Sequence, residues 1–142
     1  MLDENRVAVL NVVCDTIVPS IKRDDDPTGF WARSAADTGA NQAVLQAINE
    51  MPEADQSGIG ELLDALAMQN FPALSQASRE QILTNMSLAS REAAIGVGAL
   101  TGLTLFMHYG IPPNANWEQF GFPGPISAPP QVEKPIHPLT PA

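Results

Sequence analysis

The chain has 142 residues, of which 44% are hydrophobic, and a formal net charge of −9 from 16 acidic and seven basic side chains. This length allows a single domain, and the hydrophobic content is sufficient for a folded core, which excludes a wholly disordered chain. The negative charge disfavours binding to the phosphates of nucleic acids or to anionic membranes. A single cysteine, Cys14, excludes an internal disulfide. The N-terminal sequence has no basic segment typical of an export signal, so we expect a cytoplasmic location.

Apolar residues at helical spacing predict an all-α helical bundle over residues 1–109, with about five helices and no strand. Asp3 is positioned to cap the first helix, and Pro19 ends it. We expect Phe30 and Trp31 to insert into the core. The predicted helices span residues 3–17, 30–36, 40–51, 57 or 58 to 68, 78–89 with a capping box at its start, and 90–109 with Ser90 as its cap.

The last predicted helix, residues 90–109, is apolar on nearly every side after Arg91 and Glu92. This composition is typical of a buried helix, so we expect it to be the central helix of the bundle. Its three interior glycines each cost about 1 kcal/mol relative to alanine, so tertiary contacts must offset them. Gly98 and Gly102 share one side, where another backbone can approach closely. The alternative, a membrane span, is disfavoured because the run is shorter than about 20 apolar residues and lacks interfacial anchors.

Few residues before position 110 indicate a catalytic or metal-binding site. The three aspartates at 24–26 lack the alternating spacing of a calcium loop, so we expect a solvated loop. Cys14 lies beside the apolar side of the first helix and is interpreted as a buried structural thiol. His108 is interpreted as a core or capping histidine, with a catalytic role as the weaker alternative. We identify no catalytic or metal-binding cluster, and we predict no cofactor site in this chain.

Residues 110–142 are predicted to be an extended, proline-rich arm, with nine of the 13 prolines and only three formally charged side chains. Three aromatic residues lie within six positions in the arm, and exposed aromatic side chains anchor interfaces. These aromatics either fold back on the helices or dock onto another protein. For the arm as a whole we predict a partner surface. The predicted partner-binding residues are Trp117, Phe120, Gly121, Phe122, Pro123, Gly124, Pro125, Ile136 and His137.

Two segments resemble motifs of a known enzyme group. Residues 14–19, Cys-Asp-Thr-Ile-Val-Pro, resemble the C-D-T-x-x-P segment that opens the N-terminal helical region of long-chain fatty alcohol oxidases and related bacterial GMC-type flavoproteins. Residues 114–125 resemble the N-x-N-W-x-x-x-G-[YF]-P-G-P stretch that precedes the flavin domain of those proteins. The helical part is also similar to the small subunit of gluconate 2-dehydrogenase-like complexes, which accompanies a GMC flavoprotein.

The resemblance implies a link to FAD-dependent alcohol oxidation, although the chain lacks the flavin-binding G-x-G-x-x-G segment. Gly96-Val97-Gly98 is followed by Thr101, and no strand is predicted ahead of it. The resemblance therefore implies that FAD lies on a separate, larger GMC-type chain in a hetero-oligomer. Our leading hypothesis is a non-catalytic subunit that binds and stabilises this flavoprotein through its arm. The alternatives are a free-standing adaptor whose arm is recognised by another domain, and a small enzyme that uses His108.

Overall fold

A computed structural model of the protein describes residues 1–110 and Gly121. Within these residues the fold is all-α and contains no strand, which confirms the predicted helical bundle. The bundle has five α-helices and one short 3₁₀ turn. In chain order these are α1 (Glu4–Ile17), α2 (Ala40–Asn49), α3 (Glu53–Met68), the 3₁₀ turn Phe71–Ala73, α4 (Gln76–Ala89) and α5 (Arg91–Tyr109).

The hydrophobic core lies where α1, α2, α3 and one side of α5 meet. Helix α1 contacts each of the other helices, and α5 packs mainly against α4 and α2. In α1, α2, α3 and α5 buried positions recur every three or four residues, which is the spacing that the apolar pattern of the sequence indicates. Large, fully buried core side chains include Leu10, Val13, Val44, Ile48, Leu63, Leu66, Phe71 and Leu100.

Side-chain caps fix the starts of three helices. Asp3 caps α1 as predicted. The Oγ atom of Ser90 accepts the N–H of Ala93 at 3.0 Å at the start of α5, so this prediction is also confirmed. Helix α4 begins earlier than the predicted capping box. Its cap is Ser75, whose Oγ accepts the N–H of Ser78 at 3.3 Å, which places Ser78 inside the first turn.

Helix α3 also begins earlier than predicted, at Glu53 rather than at residue 57 or 58. Pro52 occupies the N-cap position, where its missing N–H leaves no helical hydrogen bond unmade. Two acidic residues, Glu53 and Asp55, lie in the first turn, where the helix dipole favours negative charge. Pro52 therefore lies directly before α3, three residues after the end of α2 at Asn49.

Residues 30–36 do not form the predicted short helix but lie in turns within the long loop between α1 and α2. The Asp26 carboxylate accepts the N–H groups of Phe30, Trp31 and Ala32 at 2.7, 2.9 and 3.1 Å. These three hydrogen bonds hold the loop backbone in a tight turn around the Asp26 carboxylate. Satisfying the backbone donors in this way removes the need for helical hydrogen bonds in this segment.

Helix α5 has the predicted bounds and contacts all four other helices, as expected of a central helix, but the prediction that it is buried on nearly every side is wrong. Its buried residues are Leu100, Thr104 and His108, which recur every fourth position and therefore share one side. The opposite side faces solvent, and no other described element covers it. Among residues 1–110, no helix has the length and apolar character required to cross a membrane.

Candidate functional site

An apolar surface runs along the solvent side of α5. We call Ile95, Gly98, Gly102, Leu105 and Phe106 the open face of α5. The side chains of its three large residues, in chain order, are 62%, 40% and 58% exposed. A Cβ atom added to either glycine would meet no atom within 4 Å. The open face thus combines large apolar side chains with a stretch of helix backbone that is accessible from outside.

The open face lowers the stability of the isolated chain. Each of its two glycines costs about 1 kcal/mol relative to alanine in a helix interior. Burial of each of its three large apolar side chains would contribute about 1 to 2 kcal/mol, and most of this gain is not realised. Contiguous exposed apolar surfaces of this kind mark sites of interaction with other molecules.

A groove of about 670 Å³ lies between α3 and α5 and adjoins the open face, because Ile95 lines both. Ile59 and Leu62 from α3 and Met86 from α4 give the groove an apolar lining. Gly96 allows the two helices to approach each other, since a Cβ atom there would lie 2.8 Å from Cδ1 of Leu62. The volume is within the usual range of ligand pockets, roughly 300 to 1,000 Å³.

The charged residues that line the groove are all acidic, and they are Asp55, Glu61 and Glu92. All three are exposed. Arg6 approaches α3 from α1, but its guanidinium is held by the Asp64 carboxylate through hydrogen bonds of 2.9 and 2.6 Å. The groove therefore presents negative charge beside an apolar surface.

A buried polar cluster joins the C-terminal half of α5 to α1 and to the loop before α2. His108 is 1% exposed, and its Nδ1 atom lies 2.8 Å from Oγ1 of Thr38. Burial lowers the pKa of His108, and the positive charge of Arg33 lowers it further, so the ring is predominantly neutral at pH 7. One turn earlier, Oγ1 of Thr104 lies 3.5 Å from Sγ of Cys14 in α1.

The geometry of this cluster favours a structural role over a catalytic one. Burial raises the pKa of the Cys14 thiol, which disfavours the reactive thiolate and agrees with a structural role. The His108 ring is enclosed on all sides, which disfavours the hypothesis of an enzyme that uses it. By fixing α5 against α1 and the loop, the cluster determines which side of α5 is left facing solvent.

Aromatic side chains lie at the C-terminal end of α5, directly before the residues that we predict to form the arm. The ring centroid of Phe30 is 5.2 Å from that of Trp31 and 6.2 Å from that of Tyr109. Trp31 is 42% exposed, and the Arg23 guanidinium lies 5.0 Å from its ring centroid. The prediction that Trp31 inserts into the core is therefore wrong, and Phe30 is only half-buried. The pair packs at the surface of the bundle instead.

Two of the three adjacent aspartates make hydrogen bonds within their own loop. Asp25 binds the Arg23 guanidinium through two hydrogen bonds of 2.8 Å, and Asp26 accepts the three backbone N–H groups described above. In the part of the chain that the structure describes, no group of three histidine, cysteine or acidic residues is arranged to bind a metal ion.

The predicted partner-binding residues lie outside the described residues, with the exception of Gly121. Gly121 is exposed and has a φ of 66°, a conformation that favours glycine. The sequence did not predict the exposure of the open face, because the pattern assigns its apolar residues to the core. The sequence feature that could have indicated this exposure is the presence of interior glycines in the uncharged part of α5. The predictions that lie outside the described residues are Trp117, Phe120, Phe122, Pro123, Gly124, Pro125, Ile136 and His137.

No protein-family model, curated protein or solved structure matches this chain. The resemblance to GMC-type flavoproteins and their small subunits therefore depends on sequence alone and stays a prediction. Of its two specific motifs, residues 14–19 lie at the end of α1, where Cys14 and Thr16 are buried. The second motif, residues 114–125, falls outside the described residues apart from Gly121.

Proposed function

We propose that this protein is a non-catalytic helical subunit that binds and stabilises the larger, FAD-carrying chain of a GMC-type alcohol or sugar oxidoreductase. The observation that carries the proposal is the open face of α5, an apolar surface with two accessible glycines that no described element covers. The sequence resemblance supplies the identity of the partner, and the open face supplies a surface for it to bind. The proposed complex is a cytoplasmic hetero-oligomer.

The geometry of the open face suits the packing of a helix. Gly98 and Gly102 lie one turn apart, and large side chains flank them at Ile95 and Leu105. Packed helix axes are separated by about 8 to 10 Å depending on the side chains between them, so glycine at the contact permits the shorter separation. The flanking side chains would then pack on either side of the partner helix.

The open face and the arm are adjacent in the chain. Phe106, in the last turn of α5, precedes the start of the arm at Gly110 by four residues. Trp117 follows Gly110 by seven residues, which span about 20 Å when extended at about 3.1 Å per residue. A partner bound to the open face would therefore be within reach of the aromatic residues that we predict as anchors.

The residues of α5 do not fit FAD, which supports placing the cofactor on the partner. Flavin-binding glycines form a tight turn between a strand and a helix, so that free N–H groups meet the pyrophosphate. Gly96 and Gly98 instead lie inside α5, where their N–H groups are used by the helix itself. In this proposal the chemistry of alcohol oxidation belongs to the partner, and this chain contributes binding and stability.

Co-expression with the GMC-type flavoprotein encoded nearest to this chain tests the proposal. Capture of the tagged small chain is expected to yield a yellow complex that contains the larger chain. The double variant Gly98→Leu/Gly102→Leu is expected to abolish this complex, because leucine side chains would occupy the space that the partner helix needs. Ala77→Leu, which adds the same kind of side chain on an exposed position of α4, serves as the matched control.

Two outcomes would contradict the proposal. One is the recovery of the small chain with a colourless protein through its proline-rich arm, which would favour the free-standing adaptor. The other is a yellow complex that forms equally well with the double leucine variant, which would show that the open face is not the binding surface. Circular dichroism of each variant establishes that it is folded before binding is measured.

A further inference from the structure

The groove between α3 and α5 has the shape of a helix-binding site. On the α3 side its lining runs from Ala54 to Ala65 with helical spacing, which corresponds to about 16 Å at 1.5 Å per residue. On the α5 side it runs from Glu92 to Ala99. Two helices thus form the walls for two to three turns, and apolar side chains lie between them.

Small residues on both walls leave room for a close backbone approach. A Cβ atom added to Gly58, on the α3 wall, would meet no atom within 4 Å. The large apolar side chains of Ile59 and Leu62 are buried beneath this wall, and Ile95 is exposed along the other wall. An incoming helix can therefore bury apolar side chains here without displacing residues of this chain. The small lining residues are Ala54, Gly58, Ala65, Ala93, Gly96 and Ala99.

We propose that this groove is a second docking site, which binds an amphipathic helix of a partner protein that carries lysine or arginine on both flanks of its apolar side. The apolar lining would receive the apolar side of the helix. Asp55 and Glu61 on one wall and Glu92 on the other would pair with the flanking cations. This site shares only Ile95 with the open face, and it does not depend on the identity of the flavoprotein.

Charge identifies the occupant as a partner rather than a second copy of this chain. Among the described helices, α1, α4 and α5 carry one arginine each, and α2 and α3 carry no cation. Because each of these helices carries at most one arginine, none of them can place cations on both flanks of its apolar side. Two copies of a chain with a net charge of −9 would also bring acidic walls together.

The proline-rich arm of the chain is also unsuited to the groove. It contains nine prolines, which prevent the helix that the groove would accommodate. Its formally charged residues are Glu118, Glu133 and Lys134, so it offers one cation against two carboxylates. The arm therefore matches neither the shape nor the charge of the site.

The test uses the full chain, labelled with ¹⁵N, and a synthetic helical peptide of about 16 residues with leucine on one side and lysine on both flanks. A matched peptide has glutamate in place of every lysine. We expect the lysine peptide to bind and the glutamate peptide to bind at least about ten-fold more weakly. The amide signals of Gly58, Gly96 and Ala99 are expected to shift on binding, while those of Gly102 and Phe106, farther along α5, stay in place.

Two variants of the chain sharpen the test. Glu61→Lys/Glu92→Lys is expected to weaken binding of the lysine peptide about ten-fold and to strengthen binding of the glutamate peptide. Gly58→Leu, which places a side chain in the groove, is expected to reduce binding of the lysine peptide by a similar factor. Gly98→Leu makes the same change on the open face and should leave the affinity of the chain for the lysine peptide unchanged. Circular dichroism checks that each variant is folded.

The proposal is overturned if neither peptide binds, if both bind with equal affinity, or if the shifts fall on Gly102 and Phe106 instead of the groove residues. It is also overturned if sedimentation shows that the chain self-associates through the groove, with loss of self-association in Gly58→Leu. No part of this test involves the flavoprotein, so its failure would leave the proposal for the open face intact. Failure of the flavoprotein complex would equally leave the groove proposal standing.

Discussion

The three interior glycines of α5 occupy different environments. Gly96 faces α3, where a Cβ atom would lie 2.8 Å from Cδ1 of Leu62, so its small size serves the packing of the bundle. Gly98 and Gly102 face solvent, and a Cβ atom would meet nothing within 4 Å. Packing within residues 1–110 therefore accounts for the first glycine but not for the other two, which our proposal explains by a partner that approaches the open face.

Alanine substitutions test this distinction. Gly98→Ala and Gly102→Ala are each expected to raise the free energy of unfolding of the isolated chain by about 0.5 to 1 kcal/mol, since alanine favours the helix. Gly96→Ala is the matched control, and contact with Leu62 should reduce or reverse its gain. Urea denaturation followed by circular dichroism measures all three. Equal gains at the three positions would contradict the assignment of Gly96 to the contact with α3.

His108 is expected to make stability depend on pH. Burial lowers its pKa in the folded chain below the value of about 6.5 that it has when unfolded. The unfolded chain therefore binds a proton first as the pH falls, which favours unfolding. The contribution of His108 to stability should be fully present above about pH 6.5 and be lost as the pH falls from there towards the folded pKa.

The variant His108→Phe isolates this effect. It is expected to remove the fall in the free energy of unfolding just below pH 6.5, whatever its effect on stability at neutral pH. Arginine partners lower the pKa values of Asp25 and Asp64, which keeps their titration well below this window. Urea denaturation at several pH values measures the slope. An unchanged slope in His108→Phe would show that another group is responsible.

At the scale of elements, hydrophobic spacing predicted the helices well and their starts less well. Two of the errors, at the start of α4 and in residues 30–36, arose where local hydrogen bonding decided the outcome. Ser75 rather than Ser78 caps α4, and the Asp26 carboxylate captures backbone N–H groups in a segment predicted to be helical. Such choices depend on which of several suitable side chains reaches the backbone, and spacing does not reveal this.

The overestimated burial of α5 has a different cause. A helix that is apolar on every side is predicted to be buried, but the sequence does not distinguish burial within its own fold from burial against a partner. Leu100 and Phe106 are equally apolar in sequence, yet the first is 1% exposed and the second 58% exposed. The bundle could therefore be predicted from the sequence, whereas the exposed side of α5 could be identified only once the neighbours of α5 were placed.

The loop between α1 and α2 depends on one carboxylate. Asp26→Ala is expected to lower the free energy of unfolding by about 2 kcal/mol, because it leaves three backbone N–H groups without their shared acceptor. Asp25→Ala is the matched control next to it. Its carboxylate makes an exposed ion pair with Arg23, so its loss should have a much smaller effect. Urea denaturation compares the two, and equal losses would contradict the role of Asp26.

At the scale of the whole molecule, the open face and the groove between α3 and α5 differ in charge. The chain carries a net charge of −9, yet residues 93–107 of α5 contain no formal charge. A partner that meets the open face therefore avoids most of the repulsion that an acidic chain exerts on acidic proteins. The adjoining groove is different, since its acidic walls select for cations. The two surfaces are suited to different partners or to different parts of one partner.

Trp117 tests whether the arm serves a partner or this chain's own helices. Gly98 is about 18 Å from Gly110 along α5 at 1.5 Å per residue, so Trp117 is close enough in sequence for either arrangement. We expect Trp117→Ala to weaken binding to the FAD-carrying chain by about 2 kcal/mol, roughly thirty-fold, because a tryptophan buried in an interface is a common anchor. The helical content of the isolated chain should stay the same. Circular dichroism and titration of the flavoprotein measure the two effects. Reduced helicity with unaltered affinity would place the tryptophan on the bundle instead.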